Sequence, residues 1–177
     1  MSPTASFKVC IFGDSGVGKT TLTYRFVTER FIQNTKSTLG VDIVAKDLII
    51  DDYSVKLQIW DFGGEERFRT FLPVYARGSS GGIFMYDTTR KDTLNNVEDW
   101  LAFFREHSSI NDEKVPILIV GGKKDLNHLK SVSIEDAIDL AMKYDLDDVM
   151  ECSSKTGENV EQIFTTITRK LLKTFSF

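Results

Sequence analysis

The stretch GDSGVGKT at residues 13–20 restricts the fold of this chain more than any other. It fits the pattern G-x-x-x-x-G-K-[ST], follows the apolar run FKVCIF and precedes the helix-like segment TTLTYRFV. Its glycines permit turns closed to other residues, so successive N–H groups can point inward around an anion. A helix that starts directly after such a turn presents its positive dipole end to the same anion. Strand, glycine turn and helix in that order are the context in which this pattern holds phosphate. The main-chain amides of Ser15, Gly16, Val17, Gly18, Lys19, Thr20 and Thr21 line the expected cradle. Lys19 adds charge for β and γ phosphates, and the Thr20 hydroxyl suits Mg²⁺, which takes few protein ligands and keeps several waters.

The rest of the chain alternates extended apolar runs with helical patterns. Residues 7–12, 41–50, 54–60, 81–87, 115–121 and 148–153 read as six strands, with the turn-like DDY joining the second and third. Several are apolar at consecutive positions, which suits a parallel sheet covered on both faces. Leu94, Val97, Leu101 and Phe104 form one helical stripe, and Val160, Ile163, Phe164, Ile167 and Leu171 another. Ser133 with Asp136 three residues on predicts a capping box at the start of a helix. The expected fold is α/β: a doubly wound, six-stranded, mostly parallel sheet with one antiparallel strand and about five helices. At 177 residues the chain reads as one domain, with residues 1–6 as a flexible N-terminal tail.

Charge narrows the partners. A formal net charge of -4 and a pI near 5.3 argue against a nucleic-acid binder, because such binding is driven by phosphate neutralisation. The two cysteines, Cys10 and Cys152, lie in apolar runs and read as reduced core thiols of a cytoplasmic protein. The start, MSPTAS, has no basic and apolar leader pattern, and no stretch is apolar enough to span a membrane. The end, KTFSF, carries no cysteine for a prenyl group. His107 and His128 have no metal-ligand neighbours in sequence and read as surface residues.

Beyond the phosphate loop, the chain carries STLGVD at 37–42, KLQIWDFGGEERF at 56–68, GGKKDL at 121–126 and CSSKTG at 152–157. In this order and at these spacings it resembles the Ras superfamily of small GTPases, and most closely its Rab branch, over about residues 7–174. The resemblance implies a small GTPase fold that binds GTP or GDP with Mg²⁺. It makes Thr38 a Mg²⁺ ligand that senses the γ-phosphate. It has Asp61 reach the ion through water and the Gly64 N–H meet the γ-phosphate. It sets Phe31 against the guanine, gives Lys123 and Asp125 the N-K-x-D role in base recognition, and makes Ser153, Ser154 and Lys155 the loop that closes over the base. A carboxylate at Asp125 can accept from the ring N1–H and the 2-amino group of guanine. Adenine supplies neither, and losing two charge-assisted bonds costs about 1.5 to 3 kcal/mol each.

Three departures from the family pattern stand out. Gly122 replaces the asparagine of N-K-x-D, so a side-chain amide that would touch the base and tie this loop to the phosphate loop is absent. Weaker nucleotide retention is expected, by the ~0.5 to 1.5 kcal/mol of a neutral hydrogen bond. Glu65 stands where the family has the glutamine that orients the attacking water. A carboxylate can accept from water, but at about 4 Å from a phosphate charge it suffers a repulsion of roughly 4 kcal/mol at an effective dielectric near 20. Glu65 is therefore expected to swing away or to become easier to protonate near GTP. Either it positions the water, or intrinsic hydrolysis is very slow and turnover depends on an activating protein that supplies an arginine. Phe62 and Gly63 replace threonine and alanine, and Phe62 is expected to pack beneath the switch.

Taken together, the residues and the resemblance predict a monomeric Rab-like switch, with catalytic roles for Glu65, Lys19 and Gly64. Effectors, exchange factors and activating proteins would read residues 32–45 and 62–77, in membrane trafficking. The expected location is cytoplasmic, peripheral at the cytosolic face of membranes only with a lipidated tail. Two rivals remain: a module that holds nucleotide with little hydrolysis, and an adenine-specific phosphate-loop enzyme such as a small kinase.

Overall fold

Strand β1 (Ala5–Phe12) alternates its side chains between two cores, which is why it reads as a continuous apolar run. Val9 and Ile11 face α1 (Lys19–Thr28) and α7 (Val160–Thr174), where Phe26 and Phe164 stack with ring centroids 3.9 Å apart. Cys10 and Phe12 face the other side, where Phe12 stacks on Phe104 of α5 (Val97–Ser108) at 4.7 Å. The computed structural model describes residues 4–33, 35–108 and 114–176.

The remaining strands are β2 (Val41–Ile50), β3 (Tyr53–Phe62), β4 (Gly81–Asp87), β5 (Ile117–Gly122) and β6 (Asp148–Glu151). The sheet order is β2-β3-β1-β4-β5-β6, with β2 antiparallel to β3 and the other neighbours parallel. The β2–β3 turn uses Asp51 and Asp52 at φ 48 and 71, a left-handed pair whose twist matches that of the strands it joins. β3 runs two residues past its expected end, and Phe62 pairs with Val41. β5 starts two residues later than the apolar run and ends at Gly122, while β6 stops at Glu151. The sheet begins at Ala5, paired with Val55, and the Thr4 N–H donates to Ser54 O at 2.7 Å. The expected tail at 1–6 is thus ordered from residue 4, and residues 1–3 lie outside the described residues.

Seven α-helices are present among the described residues, rather than about five; the others are α2 (Glu66–Arg69), α3 (Leu72–Ala76), α4 (Lys91–Asn95) and α6 (Ile134–Lys143). Pro73 in the first turn of α3 cannot continue a preceding helix, so the segment after β3 breaks into two short pieces. The stripe from Leu94 to Phe104 is divided at Asn96, although Leu94, Val97, Leu101 and Phe104 are all buried as expected. The Ser133–Asp136 capping box opens α6, with both reciprocal bonds present. Cys10 and Cys152 are free and fully buried, and burial pushes each thiol up to about 12.

One topological fact positions the site. β1 lies between β3 and β4, so the chain leaves it in opposite directions and a crevice opens at its carboxyl end. The ends of β1, β3, β4, β5 and β6 deliver residues 13–20, Asp61, Asp87, Lys123 and residues 152–155 to that edge.

Candidate functional site

The loop after β1 is held open by its glycines. Gly13 sits at φ 144, and a Cβ there would lie 2.1 Å from the Met85 carbonyl oxygen; Gly16 and Gly18 take φ 75 and 106. α1 then begins with no side-chain cap and no acid in its first turn, leaving its positive end free for an anion. Lys19 is 5% exposed, and its Nζ donates to Asp14 O at 2.8 Å. Burial lowers its pKa to about 8, partly offset by Asp61 and Asp14.

Beside the cradle, three segments converge. Thr20 Oγ1 donates to Asp61 Oδ2 at 2.5 Å and lies 2.6 Å from Thr38 Oγ1, which itself lies 3.5 Å from Asp61 Oδ2. Asp61 is 2% exposed, and its Oδ1 has no hydrogen-bond partner among the described residues. Burial raises its pKa to about 6 against the pull of Thr20 and Lys19. A buried acid with an unpartnered oxygen beside two hydroxyls is costly alone and is relieved by a hard cation. The residues fit Mg²⁺: oxygen donors only, few in number, next to a phosphate cradle. Ser15, Gly16, Lys19, Thr38 and Gly64 share this end of the groove.

The other end is formed by Val17, Thr21, Phe31, Lys123, Asp125, Ser154 and Lys155, together with Gln33, Met85 and Leu126. Gly18 lines both ends, so they make one groove. Asp125 Oδ1 accepts from Ser153 Oγ at 2.7 Å, and Ser153 Oγ accepts from the Thr156 N–H at 3.1 Å. Ser153 is fully buried and absent from the groove wall. Through that bond it orients Asp125. Lys123 has a left-handed backbone, φ 63; its Nζ donates to Gly16 O at 2.9 Å and pairs with Asp87 at 2.7 Å. This bond ties the base loop to the phosphate loop without any help from position 122.

The segment after β3 closes the groove. A Cβ on Gly64 would lie 2.3 Å from Ser15 N, and one on Gly63 would lie 2.4 Å from Thr38 O. The Gly63 N–H donates to Gly40 O at 2.7 Å, so residues 37–40 lie directly against residues 62–64. Phe62 is buried with Leu72 and Ala76 beneath this contact, as expected. Glu65 pairs with Arg67 Nε at 2.8 Å. Its charge is thus partly offset within the segment by an exposed ion pair, a partner that sequence reasoning did not supply.

Sequence reasoning also missed Asp14. Its Oδ1 accepts from Trp100 Nε1 at 2.8 Å and Arg69 Nη2 at 3.2 Å, and its Oδ2 from Asn96 Nδ2 at 2.7 Å. Arg90 Nη2 donates to Ser15 O at 3.0 Å while its Nε pairs with Asp87 at 3.3 Å. An acid at a variable position of the phosphate loop has no periodic or spacing signal that would single it out.

A mononucleotide-binding α/β domain, with phosphate and base walls meeting at Gly18, is the class that fold and groove define. The Ras family model matches residues 8–173. The Ras-related protein RABA1f of Arabidopsis thaliana is 42% identical over 170 residues, covering 96% of this chain and 76% of that protein. The Ras-related protein Rab11B of Nicotiana tabacum is 42% identical over 167 residues, 94% of this chain and 75% of that protein. The GTP-binding protein ypt3 of Schizosaccharomyces pombe is 38% identical over 170 residues, 96% and 78%. The chain belongs to the Ras family, close to its Rab members.

Proposed function

We propose that this protein is a guanine-nucleotide switch that binds GTP and GDP with Mg²⁺ and hydrolyses GTP to GDP and phosphate. The observation that carries the reading is the convergence of Thr20, Thr38 and Asp61 beside an uncapped α1, with one Asp61 oxygen unpartnered. The three residues come from three segments, and two of these meet again where Gly63 donates to Gly40. A third phosphate bound at Lys19 would hold these segments together, and its loss would release them. Mg²⁺, held by Thr20 and Thr38 with Asp61 behind them, would neutralise charge on the phosphates. Asp125, fixed by Ser153, would accept from the guanine N1–H and 2-amino group, and Phe31 and Lys123 would flank the ring.

For the chemical step, Lys19 and the Gly64 N–H would stabilise charge on the transferring group. The Glu65–Arg67 pair favours a second reading, in which intrinsic hydrolysis is slow and a partner completes the site. Exposed Leu39, Ile43, Phe71 and Val74 offer such partners an apolar surface within residues 32–45 and 62–77, of which residue 34 lies outside the described residues. The named relatives support a role in trafficking through effectors, exchange factors and activating proteins. Among the described residues no helix is long and apolar enough to cross a membrane, and attachment would be peripheral.

Calorimetric titration with GDP, GTP and ATP, with and without Mg²⁺, tests the reading. GDP and GTP should bind more tightly with the ion, and ATP at least about a hundredfold more weakly, because two bonds to Asp125 are lost. Equal affinity for ATP, or no heat with either guanine nucleotide, refutes it. Multiple-turnover phosphate release then separates a GTPase from a module that only holds nucleotide.

A further inference from the structure

We infer that Met85, at the end of β4, occupies the place of the side chain that position 122 lacks, so that this protein reads guanine without any contact to the ring nitrogen N7. The inference rests on the guanine-nucleotide reading above. Met85 is 1% exposed yet lines the base end of the groove. Its backbone is fixed under the phosphate loop, where a Cβ on Gly13 would meet Met85 O at 2.1 Å. Its methyl group lies 2.5 Å from where a Cβ on Gly122 would stand and 3.5 Å from one on Gly18. The Gly122 position also faces Val17 O at 3.0 Å, across the gap between base loop and phosphate loop.

Positions 85 and 122 therefore compete for one space. An asparagine at 122 and the present position of the Met85 methyl exclude each other, and Met85 itself lines the groove. Met85 fills the gap with a polarizable thioether, which gives dispersion contact to a purine but no hydrogen-bond donor. The loop tie that an amide would give is made instead by Lys123 Nζ on Gly16 O. Asp125 takes the N1–H and 2-amino edge, and at the place of the missing amide neither the Met85 thioether nor Gly122 carries a side-chain donor for N7.

The test compares GDP with 7-deaza-GDP, in which N7 is a CH, by equilibrium competition and release rate. The proteins are the wild type, Gly122→Asn, Met85→Val and the double variant. The wild type should bind both nucleotides within about twofold. Gly122→Asn alone should release GDP no more slowly than the wild type, because the Met85 methyl stands where the new Cβ must go and has to swing aside. The double variant should release GDP roughly three- to tenfold more slowly, the size of one net hydrogen bond, and that gain should vanish with 7-deaza-GDP. The inference is overturned if the wild type loses about threefold or more affinity for 7-deaza-GDP, or if Gly122→Asn alone slows GDP release. The wild-type comparison needs no variant, so a misfolded double variant leaves a decisive measurement. If neither nucleotide binds the wild type, the guanine reading itself fails; tight GDP with poor 7-deaza-GDP refutes only the role of Met85.

Discussion

Replacing Asp14 by alanine should unfold this domain at a markedly lower temperature, although Asp14 is a loop residue. Its carboxylate accepts from three donors: Arg69 at the end of α2, Trp100 on α5, and Asn96 in the link between α4 and α5. The side chains of Asp14 and Arg69 are only 15% and 18% exposed, and Trp100 is 1% exposed. Removing one partner of a buried ion pair costs about 3–5 kcal/mol, because the remaining charge loses its compensation. Arg69 retains a long contact to Asp99 at 3.9 Å and its seat over the Trp100 ring at 4.5 Å, which argues for the lower half of that range. For a domain of this size each kcal/mol moves Tm by about 2–4 °C, so a fall of roughly 6–15 °C is expected. Asp14→Asn should cost only about 1–2 kcal/mol, since its Oδ1 still accepts from Arg69 and Trp100 and Asn96 can turn its amide to match. Thermal melts with and without saturating GDP separate stability from binding, because bound ligand adds its own stabilisation. Amide exchange at residues 13–20 should rise in step with the Tm loss, since the same acid holds the phosphate loop. Asp14→Ala within about 1 kcal/mol of the wild type would refute the claim that this network anchors the loop.

The remaining predictions concern charge inside the groove. Glu65→Gln should speed single-turnover GTP hydrolysis by about tenfold or more, the rate equivalent of the part of a ~4 kcal/mol repulsion that Arg67 leaves uncompensated. An unchanged or slower rate in that variant would show that the carboxylate positions water well. In the nucleotide-free and metal-free protein, Asp61 has a folded pKa raised from 3.8 to about 6, so the folded state holds a proton that the unfolded state has lost. Stability should therefore fall as pH rises from about 4 to about 6, by up to ~3 kcal/mol, and Asp61→Asn should remove that slope. Lys19 is depressed from 10.5 to about 8, so the unfolded chain binds the extra proton and stability should rise between those pH values. Urea titrations across pH, repeated with GDP and Mg²⁺, check both slopes, and an Asp61 slope of opposite sign would show that the buried acid is ionised.

What could be seen in advance was whatever depends on spacing along the chain. The phosphate loop, both core stripes, the Ser133–Asp136 cap and the mostly parallel six-stranded sheet with one antiparallel strand follow from periodicity and glycine placement, whereas the order of the strands appears only in the structure. Contacts between segments that share a surface but no sequence pattern were hidden. Phe62 and Gly63 showed only as replaced residues, and the structure gives each a contact: Phe62 extends β3 into pairing with Val41, and Gly63 lets residues 38–40 lie against its backbone. Glu65 looked like an acid that phosphate would repel, and Arg67 two residues later offsets part of its charge. Gly122 looked like a simple loss, and a methionine 37 positions earlier in the neighbouring strand fills its space. In each case the substitution changes which neighbour supplies a contact: a facing strand residue for Phe62, a nearby side chain of the same segment for Glu65, and a side chain reaching over from the adjacent strand for Gly122. A departure from a family pattern in such a groove is therefore best interpreted as one half of a pair, the other half being whichever group the fold sets beside it, in the same segment or across the sheet.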